Sequence, residues 1–551
     1  MEKLEEDRLS SLPITILHCI LSKLSEKDAT RTSILSKTWL DIWYIFPILS
    51  FCTSKFMKNK RVRKILGFRG YVKRRILRFH DQSLTIKEFK LKLDCNYIST
   101  DVDLWLKLAC ECGVEVIEYN QDVPVGQDRY HVLPMCVIEA KSITKLVLKG
   151  YIKIDPIFMN HSITFPSLRV LSLESVCVGD EHAMNHLISL CPLIESINLR
   201  NFRNLQMNIS SLQKLKRVDA FKIQNVSIDS PTVETLCYHS PYDVNSPIKI
   251  DLDRCRNLKE LRMWSVKGAF FTEKWFYELF PKLPFLESLK LNNCKIPKKV
   301  YISSVRLKVL ELSDCKMTEW IYISSSSVRL KVLELSNCSN LKEVYIYAPN
   351  LLSCGYKGIR IGASVPTISF QRNSSQLEVD IQISVDHVDL CNLRKFLQNI
   401  KPNNVLTSLS LSLDVRDIKV DATDVEINLQ ASSPLPRIKH LNINLYFVLN
   451  NEYVFSNIVK ILHSSCCPTT ISFSNYLDCK ELIEFFYKTI RRRKVDKCGF
   501  CSSYVTKCWW HGLKDVKVTR SSMKMNENVD FKTILKSLTT FTPLKKALSL
   551  G

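Results

Sequence analysis

The sequence predicts an α/β chain in three parts: three short N-terminal helices, a long solenoid of stacked strand repeats (a horseshoe), and a small α+β C-terminal module. Three observations predict it. Apolar residues recur at helical spacing within the first fifty residues. Further on, the pattern L-x-x-L-x-L repeats, with steps of 21 and 23 residues between Leu286, Leu307 and Leu330. Beyond about Cys466 the pattern fades.

In the first segment Ser11-Leu12-Pro13 opens a helix at Pro13, where a missing N–H costs nothing. Leu17, Ile20, Leu21 and Leu24 follow at i, i+3, i+4 and i+7, which is one apolar face. Ser25 with Asp28 is a capping-box variant that starts a second helix through Ala29 and Thr32. Leu35-Ser36 leads into a third, where Trp39 and Trp43 lie four apart on one face, and Pro47 ends it. Three helices in about forty residues cannot bury this much apolar surface among themselves, so a surplus face is expected to dock on a partner.

Leu12-Pro13, Ile16-Leu17, Ile20-Leu21, Leu24, Asp28, Ser33, Leu35-Ser36-Lys37, Trp39, Trp43 and Pro47 together resemble an F-box of the plant leucine-rich-repeat class, over residues 7–51. The match departs from the family pattern at Thr38 and Leu40, where basic residues are common. The resemblance implies docking to a Skp-type adaptor and, through it, to the cullin and RING subunits of a ubiquitin ligase. Leu12, Pro13, Ile16, Leu17, Ile20, Leu21, Leu24, Leu35, Trp39 and Trp43 would form that contact, centred on Leu12, Pro13, Leu17 and Ile20, with the two tryptophans bracing the helices behind.

Residues 52–80 form a basic connecting segment. Lys58 to Arg78 holds ten basic residues and no acid, and Lys488 to Arg520 holds ten against Asp496 and Asp515. These two runs carry most of the formal charge of +23. A dense positive field attracts polyanions, which makes a nucleic-acid-associated repeat protein the alternative reading. Ile65, Leu66, Ile76, Leu77 and Phe79 interleave with the first run and favour a folded segment with a solvated basic face.

The repeats occupy residues 81–465. Clear instances of the pattern are Leu168/Leu171/Leu173, Ile194/Ile197/Leu199, Leu258/Leu261/Met263, Leu286/Leu289/Leu291, Leu307/Leu310/Leu312 and Leu330/Leu333/Leu335. Weaker ones are Ile86/Phe89/Leu91, Val114/Ile117/Tyr119, Ile143/Leu146/Leu148, Leu406/Leu409/Leu411 and Ile438/Leu441/Ile443. Residues 305–313 recur verbatim at 328–336, an internal duplication. This is the spacing of leucine-rich repeats, in which each strand buries its apolar face by stacking on its neighbours. Cys294, Cys315 and Cys338 fall three residues after the last leucine, where a small side chain fits the turn, so a structural role is expected. Irregular spacing from 258 to 286, and between 350 and 400, points to insertions or degenerate units.

The leucines point inward, so the residues between them point out. Arg262, Lys290, Glu311 and Glu334 then form one outward column across four repeats, with Trp264 beside the first. Arg262–Lys290 and Glu311–Glu334 would be like-charge neighbours about 4.8 Å apart. A horseshoe usually receives its partner on this concave face, and these five residues are the candidate substrate contacts.

Residues 466–551 end the chain. The run Cys508-Trp509-Trp510-His511-Gly512-Leu513-Lys514-Asp515-Val516-Lys517-Val518 is similar to the C-terminal FBD module of plant F-box proteins, where it forms a strand. Glu481 to Phe486 reads as helical and runs into Arg491–Lys494, a weak nuclear-localisation element. Cys498, Cys501, Cys508 and His511 offer four soft ligands, but the six-residue spacer is shorter than common zinc modules use, so core thiols and no metal are expected. His182 and His186 lie i, i+4 beside Asp180 and Glu181 with no third ligand identifiable, and read as a surface pair.

Several classes are disfavoured. Glycine is scarce, 13 in 551 residues, and none of the common phosphate-cradling or catalytic glycine motifs is present. No nucleophile–base pair or catalytic carboxylate constellation can be assembled, so a non-catalytic receptor without a cofactor is expected. There is no run of 18 apolar residues to cross a membrane, and Met1-Glu2-Lys3-Leu4-Glu5-Glu6-Asp7 lacks the basic-then-apolar order of a signal peptide. The 21 cysteines are then expected to be reduced, in an intracellular chain of the nucleus, the cytoplasm or both.

Overall fold

The computed structural model describes residues 9, 11–56, 62–94, 100–122, 130–155, 165–179, 181–202, 206–210, 212–241, 249–267, 270–324, 329–358, 366–372, 374–385, 387–401, 406–414, 435–447, 462, 465–475 and 515–520. The chain divides into two compact units, residues 1–261 and 262–551.

The first unit opens with three helices whose starts follow their caps. Helix α1 (Ile14–Lys23) begins immediately after Pro13. Helix α2 (Glu26–Thr32) is capped by Ser25, whose hydroxyl accepts from the Asp28 N–H at 3.3 Å. Helix α3 (Lys37–Ile45) is capped by Ser36, which accepts from the Trp39 N–H at 3.2 Å. Leu17, Leu21, Ala29, Trp39, Ile42, Trp43 and Phe46 form the core between them. The basic segment that follows contains a 20-residue helix, α4 (Val62–Asp81), and helix α5 (Thr100–Glu111) comes next.

A parallel sheet then runs through the unit in chain order. Its strands are β1 (Ile48–Cys52), β2 (Glu88–Leu93), β3 (Val116–Gln121), β4 (Lys145–Gly150), β5 (Val170–Glu174), β6 (Ser196–Arg200), β7 (Arg217–Phe221) and β8 (Thr235–His239). Strand β9 (Glu260–Trp264) spans the division between the units. In the second unit β10 (Ser288–Asn292), β11 (Val309–Ser313), β12 (Val332–Ser336), β13 (Ser353–Gly358), β14 (Glu378–Val385), β15 (Leu406–Asp414), β16 (Arg437–Phe447), β17 (Cys467–Asn475) and β18 (Asp515–Arg520) pair in the same way. The parallel ladder therefore continues past residue 465, and Asp515-Val516-Lys517-Val518 of the FBD-like run lies in its last strand.

Every strong and weak L-x-x-L-x-L match marks one of these strands, and their inward residues are buried. Among the described residues further parallel strands form smaller sheets: His131–Val132 with Ile152–Lys153, and Gln206–Ser210, Asn225–Asp229 and Lys249–Asp251, in the first unit, and five strands in the second, beginning with Lys299–Ser303 and Trp320–Ser324. The long step from 258 to 286 holds the helix Glu273–Lys282, and the irregular stretch 350–400 holds β13, β14, the strand Thr367–Arg372 and the helix His387–Gln398.

Seven strands of the main sheet are left through the same device. Ser175, Asn201, Lys222, Ser265, Asn293, Asp314 and Asn337 follow their strands with positive φ, a left-handed turn that Asn and Asp tolerate best among residues with a side chain. Their N–H groups donate to a carbonyl at the end of the next strand, as Asn293 does to Ser313 and Asp314 to Ser336. Cys294, Cys315 and Cys338 come next and are buried. Their thiols donate to carbonyls of the preceding strand, at 3.5 Å (Met263), 3.8 Å (Leu291) and 3.7 Å (Leu312).

Candidate interaction surfaces

The apolar residues of α1–α3 divide between two duties. Leu17 and Leu21 are 1% exposed and, with Trp39 and Trp43, belong to the core. Leu12 and Ile20 pack against that core while remaining partly exposed, and Leu40 joins them there. Pro13, Ile16, Leu24 and Leu35 are exposed, and so is Ile34, which the sequence reading passed over. Ile34 and Leu35, at 82% and 69% exposure, crown the turn between α2 and α3. The surface offered to a partner therefore consists of Pro13, Ile16, Leu24, Ile34 and Leu35 with the edges of Leu12 and Ile20. Leu17, Leu21, Trp39 and Trp43 shape that surface from within.

Helix α4 takes up part of the basic run. Arg75 is buried, donating to the carbonyls of Trp43 and Tyr44 at 2.8 and 3.1 Å. The Arg78 guanidinium lies 3.5 Å over the Tyr44 ring, and Arg69 pairs with Asp101. Lys73 and Arg74 point to solvent. Three of these five basic side chains are thus engaged within the chain, which weakens the case for a polyanion site on this helix. The second basic run lies outside the described residues except for 515–520.

On the outward face of the main sheet, Lys290, Glu311 and Glu334 stand in register on β10, β11 and β12 as the alternation requires. The charges pair differently from the sequence expectation. Lys290 reaches across to Glu311 at 3.0 Å, because a flexible ammonium stem spans one strand spacing, so opposite charges are neighbours there. Glu311 and Glu334 do remain like-charge neighbours. The next position in the column is Gly355 and the one after it Asp380, an acid the sequence reading did not include. The Glu334 carboxylate lies over Gly355 in the space a side chain would take. Burial, with Glu311 and Asp380 nearby, raises its proton affinity above the ordinary glutamate value, and Lys290 only partly offsets this. Ser408 on β15 donates to Asp380. Arg262 and Trp264 are both half-buried on β9.

His182 and His186 lie on the helix Glu181–Ser189. Among the described residues no group of three His, Cys, Asp or Glu side chains is placed to hold a metal. Cys498, Cys501, Cys508, His511 and Arg491–Lys494 lie outside the described residues.

The F-box domain family profile matches residues 9–51, and the profile of the LRR repeats of FBD-associated F-box protein At5g56370 matches residues 102–268. The F-box/LRR-repeat protein At3g58900 of Arabidopsis thaliana is 31% identical over 248 residues, 42% of this chain and 72% of that protein. The F-box protein At1g60400 is 27% identical over 45% of this chain and 62% of its own length, and the putative F-box/FBD/LRR-repeat protein At4g00315 is 28% identical over 42% and 52%, both from the same plant. The chain thus spans roughly half to three fifths of the length of these last two relatives.

Proposed function

Since the chain belongs to the plant F-box/leucine-rich-repeat family, we propose that it is the substrate-recognition subunit of a Skp–cullin–F-box ubiquitin ligase. The observation that carries this reading is the exposed apolar set Ile16, Leu24, Ile34 and Leu35 on helices whose core is already complete without it. Several large apolar side chains left in water on one small helical unit are costly, and a partner that covers them relieves that cost. In this reading a Skp-type adaptor covers that surface, and cullin and RING subunits follow through the adaptor. A protein substrate would lie on the outward face of the main sheet, with Arg262, Trp264, Lys290, Glu311 and Glu334 among its contacts. The chain's own contribution to the reaction is then proximity, which converts an encounter between substrate and charged carrier into an intramolecular one.

The test is capture of a purified Skp-type adaptor by the full chain. Leu12→Ala with Pro13→Ala, and separately Leu35→Asp, should each weaken capture by roughly 30-fold or more, since interface energy concentrates in a few anchors. Capture that survives both variants would remove the adaptor assignment.

A further inference from the structure

Helix α4 has two working faces, visible only once the basic run is folded. Phe68, Val72, Ile76 and Phe79 are buried on one side, where Phe68 meets Trp105 of α5 edge-to-face at 6.2 Å. Tyr71, Arg75 and Arg78, at i, i+4 and i+7, form the side that meets the F-box. The Tyr71 hydroxyl donates to the Glu26 carboxylate of α2 at 2.7 Å. Arg75 is 4% exposed, and its guanidinium lies 4.0 Å over the Trp43 ring.

Its two hydrogen bonds go to Trp43 and Tyr44, in the last turn of α3. The last turn runs out of i+4 donors, the Trp43 carbonyl keeping only the Phe46 N–H at 3.4 Å besides the arginine, and a cation meets the negative end of the helix dipole. A guanidinium withdrawn from water is strongly unfavourable unless its donors find acceptors. Here the two acceptors it finds belong to the F-box and its Nε–H has none, while the backbone that carries the arginine is packed on the first repeats. Any swing of one part relative to the other strands the charge and uncovers the α3 carbonyls together. We propose that Arg75 is a positioning residue, which holds the adaptor-docking face in one orientation relative to the first repeats and so determines which lysines a docked ubiquitin carrier reaches. The second half of this statement rests on the ligase reading; the first does not.

The experiment has an arm for each half and uses the full chain. Fluorescent non-natural amino acids replace the exposed Lys27 of α2 and Lys107 of α5, and the distribution of distances between them is measured. It should be narrow in the parent and at least twice as broad in Arg75→Met, with Arg75→Lys between the two and the far-ultraviolet dichroism unchanged. An equally narrow distribution in Arg75→Met overturns the coupling. If Arg75→Met does not fold, Arg75→Lys and Tyr71→Phe carry this arm, with the same direction expected and the same result overturning it. In the second arm the chain is assembled with Skp-type adaptor, cullin and RING subunits, and the lysines of the chain that acquire ubiquitin are mapped. The parent should modify a restricted set, and Arg75→Met should spread modification to at least twice as many sites with adaptor capture unchanged. An unchanged site pattern overturns the role in lysine selection. Failure of the parent to capture adaptor overturns the ligase reading instead, and the distance arm still judges the coupling.

Discussion

On the first unit's sheet, Lys145 meets Glu118 at 2.9 Å and Lys149 meets Glu174 at 3.0 Å across strands, and Arg217 meets Asp219 at 2.9 Å within β7. The second unit's sheet begins the same way, with Lys290 on Glu311, and then runs Glu334, Gly355, Asp380 down one column without an ion pair from a described residue to either later acid. Strands about 4.8 Å apart force such neighbours into contact, so the sign order along a column decides what the face can do. Alternating signs satisfy themselves and knit strands together. A run of one sign costs stability and leaves a field for something outside the chain to meet. The charges of these pairs on the first face are met within the chain, whereas Glu334 and Asp380 on the second have no ion pair from a described residue.

The largest effect should come from breaking a pair on the first face. The Asp219 side chain is 9% exposed, and its Oδ1 is already a buried acceptor without a donor. Arg217→Met would leave the carboxylate wholly unsatisfied, at a cost of about 1.5–3 kcal/mol. Lys290→Met strips the equivalent partner from Glu311, a group with more than a third of its side chain in water, and should cost only about 0.2–1 kcal/mol. Urea unfolding of the two full-length variants compares them directly. Equal losses would mean that the faces do not differ in how deeply their charges are committed.

A smaller effect sharpens the comparison by its sign. Glu118→Gln removes a carboxylate that has a cation, and should destabilise by roughly 0.5 kcal/mol. Glu334→Gln removes one that has acids on either side, and should stabilise by a similar amount. The substitution is chemically identical at the two sites. If both variants lose stability, Glu334 is better satisfied than its surroundings indicate.

How much of this was legible in the sequence depends on which side of a residue does the work. Strands announced themselves where a leucine or isoleucine also stood three residues before the inward pair, and those at Ile321/Ile323 and Ile381/Ile383, which lack it, were not read. Others were missed at Leu215/Val218/Ala220, Val233/Leu236/Tyr238 and Leu351/Cys354/Tyr356, where the same inward positions hold smaller or aromatic side chains. Alternation there is intact, but a pattern keyed to leucine does not register it. The outward column of Lys290, Glu311 and Glu334 followed from alternation alone, whereas its pairing did not, since side-chain reach across strands is not encoded in spacing. In the F-box, Leu17, Ile20, Leu21 and Leu24 read as one stripe, yet the stripe serves both the chain's own core and an outside surface. Helical spacing cannot say where one ends. Arg75 was hidden most completely: within ten basic residues, nothing local separates the one that is buried on Trp43 from those left in solvent.

The smallest effect is the pH dependence that Glu334 contributes on the second face. Glu334 holds its proton more tightly in the folded chain than the ordinary glutamate value of 4.5, through burial first and the nearby acids Glu311 and Asp380 next. The folded state therefore binds more proton at this site than the unfolded chain does over the interval between those two values. By linkage, stability from this group is highest at acid pH, falls as pH rises from about the ordinary value through the raised one, and stays at its reduced level above. The stability difference between Glu334→Gln and the parent should accordingly grow over that interval and then level off. Gly355→Ala provides an independent check. A Cβ at that position would fall 2.0 Å from the Glu334 carboxylate oxygen, and the flexible glutamate can swing out to solvent to avoid it. With the carboxylate rehydrated the slope should shrink, even though no charge has been removed. The measurement is the urea midpoint of the parent and both variants from pH 4 to 8. A parent whose slope in this interval is matched by Glu334→Gln would show that Glu334 does not carry it, and would leave it to other acids with raised proton affinity such as Glu26 and Asp122. A slope removed by Glu334→Gln but untouched by Gly355→Ala would assign it to the nearby charges and not to burial.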